Sequence, residues 1–298
     1  SFGEGRKVPI IELREADDPL LAELADFVYQ NVFLFYTQKQ WGVTPEEVDP
    51  SVTARVPVLV GRDNRYFTDS YQGMPKEGYT ALFNNMLAHD NISVFTNLDA
   101  RNVIAFAKND LATGVTPVVD LSNSATASSS STLTSTTVEP YDTIVINNSH
   151  FNGKLIYTGP LDFLANKCFG LLPYRSLDFV YIPKNEKHVF PCGTVNYTVS
   201  EDYTRITEYT WLTGQDIDHT TIMEEYPREF ADLPNQVPYY AILNPKNETH
   251  YQQYLSLFKN LPNFHALGRL AEYRYFNMDQ IICRALELAD TICAGQAS

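Results

Sequence analysis

Between residues 175 and 243 apolar and polar side chains alternate in a series of short runs, and this texture constrains the fold more than any other feature of the sequence. Residues 175–182 place Leu177, Phe179 and Tyr181 on one face. Residues 194–199, 203–212, 219–225 and 239–243 repeat the pattern. A period of two with short connections predicts the strands of an antiparallel sheet. Helical spacing dominates elsewhere, so the expected class is α+β.

The helices announce themselves by caps and stripes. Residues 17–37 read as a helix, with Asp18 as N-cap, Pro19 at the first helical position, and Leu20, Leu21, Leu24, Phe27, Val28 and Phe35 at helical spacing. Gly42 is placed to end it. Residues 43–75 lack periodicity and read as a long ordered loop. A second helix is expected over 79–89, with Leu82, Phe83, Met86 and Leu87 inward, and a short strand over 92–96. The low-complexity stretch 122–136 cannot bury apolar area and reads as a surface insertion. Strands at 142–147 and 154–157 and a short helix at 160–167 follow. Two helices close the chain. Asn247 is expected to cap the first, with Tyr251, Tyr254, Leu255 and Phe258 on one face. Asn277 caps the second, with Ile281, Ile282, Ala285, Leu286, Ala289 and Ile292 inward.

Composition narrows the function. The chain has 298 residues, enough for about two domains, and 22 Lys+Arg against 36 Asp+Glu. A net charge of −14 argues against nucleic-acid binding through a general basic surface but leaves room for a local basic pocket. No apolar run is long enough to span a bilayer and the first residues carry no apolar signal core, which points to a cytoplasmic protein without a membrane. Cys168, Cys192, Cys283 and Cys293 have no metal-site spacing and read as buried, reduced thiols. The N-x-[ST] sites at Asn91, Asn147, Asn196 and Asn247 read as chance.

No nucleophile, zinc, P-loop or G-x-G-x-x-G motif is present, and the six histidines are scattered. No metal site is expected. The arginines are more telling. Alternation predicts Arg205 on one strand face with Tyr203, Tyr209 and Trp211. Arg175 opens another strand, and Arg269 precedes the aromatic run at 273–276 and the helix starting at Asn277. An arginine among aromatics is either a stacked surface cation or an anion clamp, and a helix N-terminus suits a phosphate. Together they suggest a pocket for a flat, anionic ligand such as a nucleotide diphosphate.

These stretches also form an ordered set: Tyr36-Thr37-x-Lys39-Gln40-Trp41-Gly42, Asn64-Arg65-Tyr66-Phe67, Tyr71-Gln72-Gly73-Met74-Pro75, Gly78-Tyr79-Thr80, Tyr157-Thr158-Gly159-Pro160-Leu161-Asp162, Tyr174-Arg175-Ser176-Leu177, Asn196-Tyr197-Thr198, Tyr203-Thr204-Arg205-Ile206, Glu225-Tyr226-Pro227, Pro238-Tyr239-Tyr240 and Gly268-Arg269-Leu270-x-x-Tyr273-x-Tyr275-x-x-Met278. The set resembles the UDP-galactopyranose mutase family from about residue 20 to 290, with 101–150 as an insertion. The resemblance implies a flavoenzyme isomerase that interconverts UDP-galactopyranose and UDP-galactofuranose for surface-glycan synthesis. In that family reduced FAD bonds through N5 to the anomeric carbon while UDP leaves and returns, so no protein nucleophile is required.

By resemblance, Trp41, Tyr66 and Phe67 hold the uridine end, and Arg55 lies on the mobile loop that closes over the diphosphate. Arg175, Arg205, Tyr240 and Tyr275 grip diphosphate oxygens, and Glu225 is the carboxylate of the same tyrosine-lined site. Arg269, Asn277 and Met278 match positions at the flavin, although the family usually has Asp where Asn277 stands, and a second loop arginine where Leu59 stands.

The resemblance omits the family's N-terminal dinucleotide segment, with its glycine-rich phosphate loop and its histidine at the flavin. The chain therefore reads as the substrate side of such an enzyme, not retaining FAD and inactive alone. It is either cut from a longer protein, which the absence of an initial Met favours, or a natural truncated relative. The alternative is a non-catalytic nucleotide-sugar binding module. The expected organisation is a helical uridine-binding segment with mobile loop at 1–90, a partial flavin-domain segment at 91–170, the diphosphate-binding twisted antiparallel sheet at 171–245, and C-terminal helices completing the flavin domain at 246–298. The remnants of the α/β flavin domain should expose apolar surface and promote self-association.

Overall fold

The computed structural model describes residues 3–48, 56–65, 69–108 and 139–295. The chain is α+β and divides into two compact units, one of residues 1–94 with 175–242 and one of 95–174 with 243–298.

The first unit is built on a five-stranded sheet. Its strand order is Tyr240–Ala241, Tyr174–Lys184, Thr220–Glu229, Arg205–Glu208, Thr194–Asn196. Strand Thr220–Glu229 runs antiparallel to both neighbours and pairs Glu225 with Phe179 on one side and with Arg205 on the other. Arg205 in turn pairs with Asn196. The alternating runs thus form the sheet they predict, with one correction. The run at 203–212 is not one strand, because the ladder stops at Glu208 and Tyr209–Thr213 is a helix. Glu208 is fully buried and accepts from the amides of Val189 and Phe190, at 3.0 and 2.8 Å, which fixes the bend. Trp211 turns away from Arg205, stacks on His188 at 4.1 Å and donates its indole N–H to the Phe190 carbonyl.

The long N-terminal helix forms in three pieces: α-helix Pro19–Val28, a π-helical turn Tyr29–Leu34, and α-helix Phe35–Trp41. The Asp18 carboxylate accepts from the Leu20 amide, Pro19 occupies the first turn, and Gly42 ends the helix at φ +77. Only glycine adopts that left-handed φ without a steric penalty. The buried face is Ala25, Tyr29 and Phe33, packed on Val8, Ile10 and Leu13. The expected stripe is largely in solvent: Leu20, Leu24, Phe27 and Phe35 are exposed. Spacing identifies a stripe but not what covers it. The same holds for helix Gly78–Leu87, which buries none of its residues and exposes Leu82, Phe83, Met86 and Leu87. Residues 92–96 form no strand.

The second unit holds a three-stranded antiparallel sheet, Ile104–Ala107 with Thr143–Ile146 and Ser149–His150. Its hairpin turns through Asn147 and Asn148, both at positive φ, the conformation of a two-residue type I′ turn, which Asn tolerates better than most residues. Strands Leu155–Tyr157 and Phe264–Ala266 pair in parallel. The core is aromatic. Phe106 lies 5.1 Å from both Tyr141 and Phe258 and 6.0 Å from Phe264. Helix Pro245–Leu257 is capped by Asn244, whose side chain accepts from the Asn247 amide, so the cap precedes the expected Asn247 by one turn. Tyr251 and Tyr254 are buried as expected. Asn277 does cap helix Met278–Ala294, in a capping box with Gln280. On that helix Leu288 is the buried residue, while Met278, Ile282 and Leu286 form an exposed row.

All four cysteines are free, but all four are exposed rather than buried. The Ser-rich stretch 122–136 lies outside the described residues. No helix among the described residues is long and apolar enough to cross a membrane.

Candidate functional site

The first unit gathers Trp41, Arg175, Arg205, Glu225 and Tyr240 along helix Phe35–Trp41. Trp41 is the last helical residue, nearly buried, with its ring 5.6 Å from that of Tyr240. Tyr240 follows Tyr239, whose ring meets Phe179 edge-on at 5.6 Å. Tyr240 remains partly exposed.

Arg175 is the second residue of its strand and lies beneath the C-terminal end of this helix. Its Nε donates to the Gln40 carbonyl at 2.9 Å and Nη2 to the Lys39 carbonyl at 2.8 Å. Helix C-terminal carbonyls have no partners within the helix and carry partial negative charge, so a guanidinium there is stabilising. A Cβ on residue 42 would lie 3.2 Å from Arg175 Nη1, a second reason for Gly42. Burial lowers the Arg175 pKa, with Glu229 opposing.

Arg205 sits on the neighbouring strand but one and stays partly exposed. Nε donates to Asn196 Oδ1 at 3.2 Å, Nη2 to the Tyr36 hydroxyl at 3.2 Å, and Nη1 lies 3.6 Å from Glu225 Oε2. Burial pulls its pKa down, and Tyr36 and Glu225 more than offset that. Burial pushes the Glu225 carboxyl up, partly opposed by Arg205. The result is a guanidinium aimed by three polar neighbours and backed by a nearly buried carboxylate. Such a group offers in-plane donors to the oxygens of a diphosphate.

Three further residues of the site lie in the motifs quoted above without having been given a role. Tyr36 meets Arg205, and Lys39 lies one turn further along the same face. Helical i, i+3 spacing from Tyr36 could have found Lys39. Asn196 follows from the strand register opposite Arg205.

Tyr275 belongs to the second unit, under the guanidinium of Arg269 at 4.6 Å. Arg269 also donates to the Phe276 carbonyl at 2.6 Å. Asn277 caps the helix that follows, and Met278 stands exposed at its first turn. This cluster fits the edge of a flat ring system through a thioether, a stacked cation and a helix N-terminus. No G-x-G-x-x-G run occurs in this sequence. Arg55, Tyr66 and Phe67 lie outside the described residues. Among the described residues no group of three or more His, Cys, Asp and Glu side chains could hold a metal ion.

The class this defines is an α+β protein whose antiparallel sheet brings arginine, carboxylate and tyrosine side chains into one cluster. The chain belongs to the UDP-galactopyranose mutase family, whose family model matches residues 31–275. It is 31% identical to UDP-galactopyranose mutase of Mycoplasma genitalium over 98% of this chain and 65% of that protein. It is 28% identical to dTDP-fucopyranose mutase of Escherichia coli over 92% of this chain and 62% of that protein. The chain thus spans a little under two thirds of the length of these curated relatives. The crystal structure of a reduced UDP-galactopyranose mutase superposes with a TM-score of 0.58 at 13% identity, over 99% of this chain and 70% of that one, and has the same fold.

Proposed function

We propose that this chain supplies the substrate side of a UDP-galactopyranose mutase, an isomerase that interconverts UDP-galactopyranose and UDP-galactofuranose in the cytoplasm. The observation that carries the reading is Arg205, held by Tyr36, Asn196 and Glu225 and still partly exposed. Arg205 binds the diphosphate, and Tyr240 closes the same side. Arg175 acts behind them by fixing the helix end that carries Trp41. Trp41, with Tyr66 and Phe67, receives the uracil by stacking. Arg55, which lies outside the described residues, is a further phosphate ligand of this reading. Glu225 sets the charge and direction of Arg205.

Reduced FAD, when bound, supplies the nucleophile and electron pair for the ring contraction. In this chain Arg269, Asn277 and Met278 would face its ring system, and this chain alone does not retain it. The family assignment and the arrangement around Met278 support the placing of the ring system against these residues. The exposed rows on helices Gly78–Leu87 and Met278–Ala294 support self-association, and light scattering over a concentration series checks it.

Calorimetric titration with UDP tests the proposal, with dTDP as the competing ligand and Arg205→Ala as the control. UDP binding lost in Arg205→Ala is the expected result. Tighter dTDP binding would move the substrate toward that of the fucopyranose mutase. Binding that survives Arg205→Ala would sink the assignment of this residue.

A further inference from the structure

Lys39 turns its side chain toward main-chain carbonyls of a single turn. Its Nζ donates to the carbonyls of Tyr197, Glu201 and Tyr203 at 2.7, 2.9 and 3.3 Å. These carbonyls belong to the turn that joins strands Thr194–Asn196 and Arg205–Glu208. An ammonium has three donors and no acceptor, so this convergence uses its full capacity.

The turn is also held at its far end, where the Thr204 amide donates to the Glu225 carbonyl at 2.9 Å and Tyr203 packs edge-on against Tyr226 at 5.8 Å. The Tyr197 amide donates to the Thr204 carbonyl at 2.9 Å, and Tyr197 packs edge-on against Tyr203 at 4.8 Å. Two further bonds reach the same helix: Thr198 Oγ1 donates at 2.6 Å to the Asn31 carbonyl, within the π-helical turn, and Thr204 Oγ1 donates at 3.3 Å to Gln40 Oε1. A π-helical turn widens the backbone and such turns cluster at functional sites. Here a carbonyl from that turn receives the loop. The main-chain carbonyl of Lys39 meanwhile accepts from Arg175. Lys39 therefore ties the two arginine-bearing strands to one helix end, through opposite ends of the same residue.

Resting on the proposed diphosphate role of Arg205, we infer that Lys39 is a positioning residue: by clamping the 197–203 turn it holds Arg205 between Asn196 and Tyr36, in the orientation that accepts the ligand. It does not touch the ligand itself. Without the clamp the 197–203 stretch loses three of its bonds to the helix, which loosens the approach to Arg205 although Thr204 stays bonded to Glu225 and Gln40.

The test compares Lys39→Met and Lys39→Arg in the same chain, by amide hydrogen exchange without ligand and by UDP titration. Methionine keeps the stem and removes the donors. Arginine keeps charge and donors and serves as the conservative rescue. The expected result is faster exchange in 197–204 for Lys39→Met, with the rest of the sheet unchanged, and UDP binding weaker by about tenfold, the loss expected of one charge-assisted contact. Lys39→Arg should recover much of both. Unchanged exchange in the turn would overturn the clamp. Faster exchange with unchanged UDP affinity would overturn the positioning role. If the unsubstituted chain binds no UDP at all, the functional reading fails, and the exchange measurement alone still decides whether Lys39 clamps the turn.

Discussion

The two units satisfy the same need with different chemistry. Both contain irregular backbone whose carbonyls require donors away from bulk water. In the first unit charged side chains provide them: Arg175 to the carbonyls of Lys39 and Gln40, and Lys39 to those of three turn residues. In the second unit phenols provide them. Tyr251 donates to Ala271, Tyr273 to Pro173, and Tyr254 to Gly170 while accepting from the Phe169 amide. A phenol brings a large apolar ring that packs, as Tyr251 does on Tyr273 at 5.4 Å. A guanidinium brings little packing but keeps a charge near the surface. The first unit is therefore built to present charge, and the second to be stable.

The largest effect should come from breaking the aromatic side. Phe106 is 2% exposed and touches three rings. Phe106→Ala should cost about 3–5 kcal/mol of unfolding free energy, the range for truncating a buried aromatic. Urea unfolding followed by tyrosine fluorescence checks it, and a loss below about 1 kcal/mol would mean the ring cluster is not the core of that unit. The charged side should give less. Arg175→Met keeps most of the stem volume and leaves two helix-end carbonyls without their donors, an expected loss of about 1–3 kcal/mol. The same denaturation series measures it. If Arg175→Met matched or exceeded Phe106→Ala, the division of labour between the units would be wrong.

The sequence made the sheet legible because alternation is a local signal, and strand after strand formed where the period of two appeared. It also made the arginines legible, since Arg175 and Arg205 do lie on two sides of one cluster. What it could not show was where a run bends. Residues 203–212 alternate throughout, but Glu208 accepts two amides from 189 and 190, and that long-range tie ends the strand. The neighbours of Arg205 accordingly changed from Trp211 and Tyr209 to Tyr36, Asn196 and Glu225. Partners across the sheet depend on register, which no single strand encodes. Helix faces failed for a related reason. Leu20, Leu24 and Phe27 recur at helical spacing, yet the core formed by Val8, Ile10 and Leu13 selects the opposite face through Ala25, Tyr29 and Phe33.

The finest test of the contrast uses the charged cluster's own carboxylate. Burial raises the Glu225 carboxyl above its ordinary value of 4.5, and Arg205 offsets only part of this. An acid raised in the folded state holds its proton to higher pH than in the unfolded chain. Between the ordinary and the raised value the folded state therefore binds more protons, so stability contributed by this group is present at low pH and lost as pH rises through the folded pKa. A glutamine side chain at this position cannot titrate. The stability of the unsubstituted chain minus that of Glu225→Gln should accordingly be greater at acidic pH than at neutral pH. Asp162, buried in the second unit and raised by the same cause, titrates alike in both proteins and cancels from the difference. Urea unfolding of the pair at several pH values measures it. A difference that grows toward neutral pH instead would mean that the attraction to Arg205 outweighs burial, and that the first unit draws stability from the same charge pair it uses to orient its arginine.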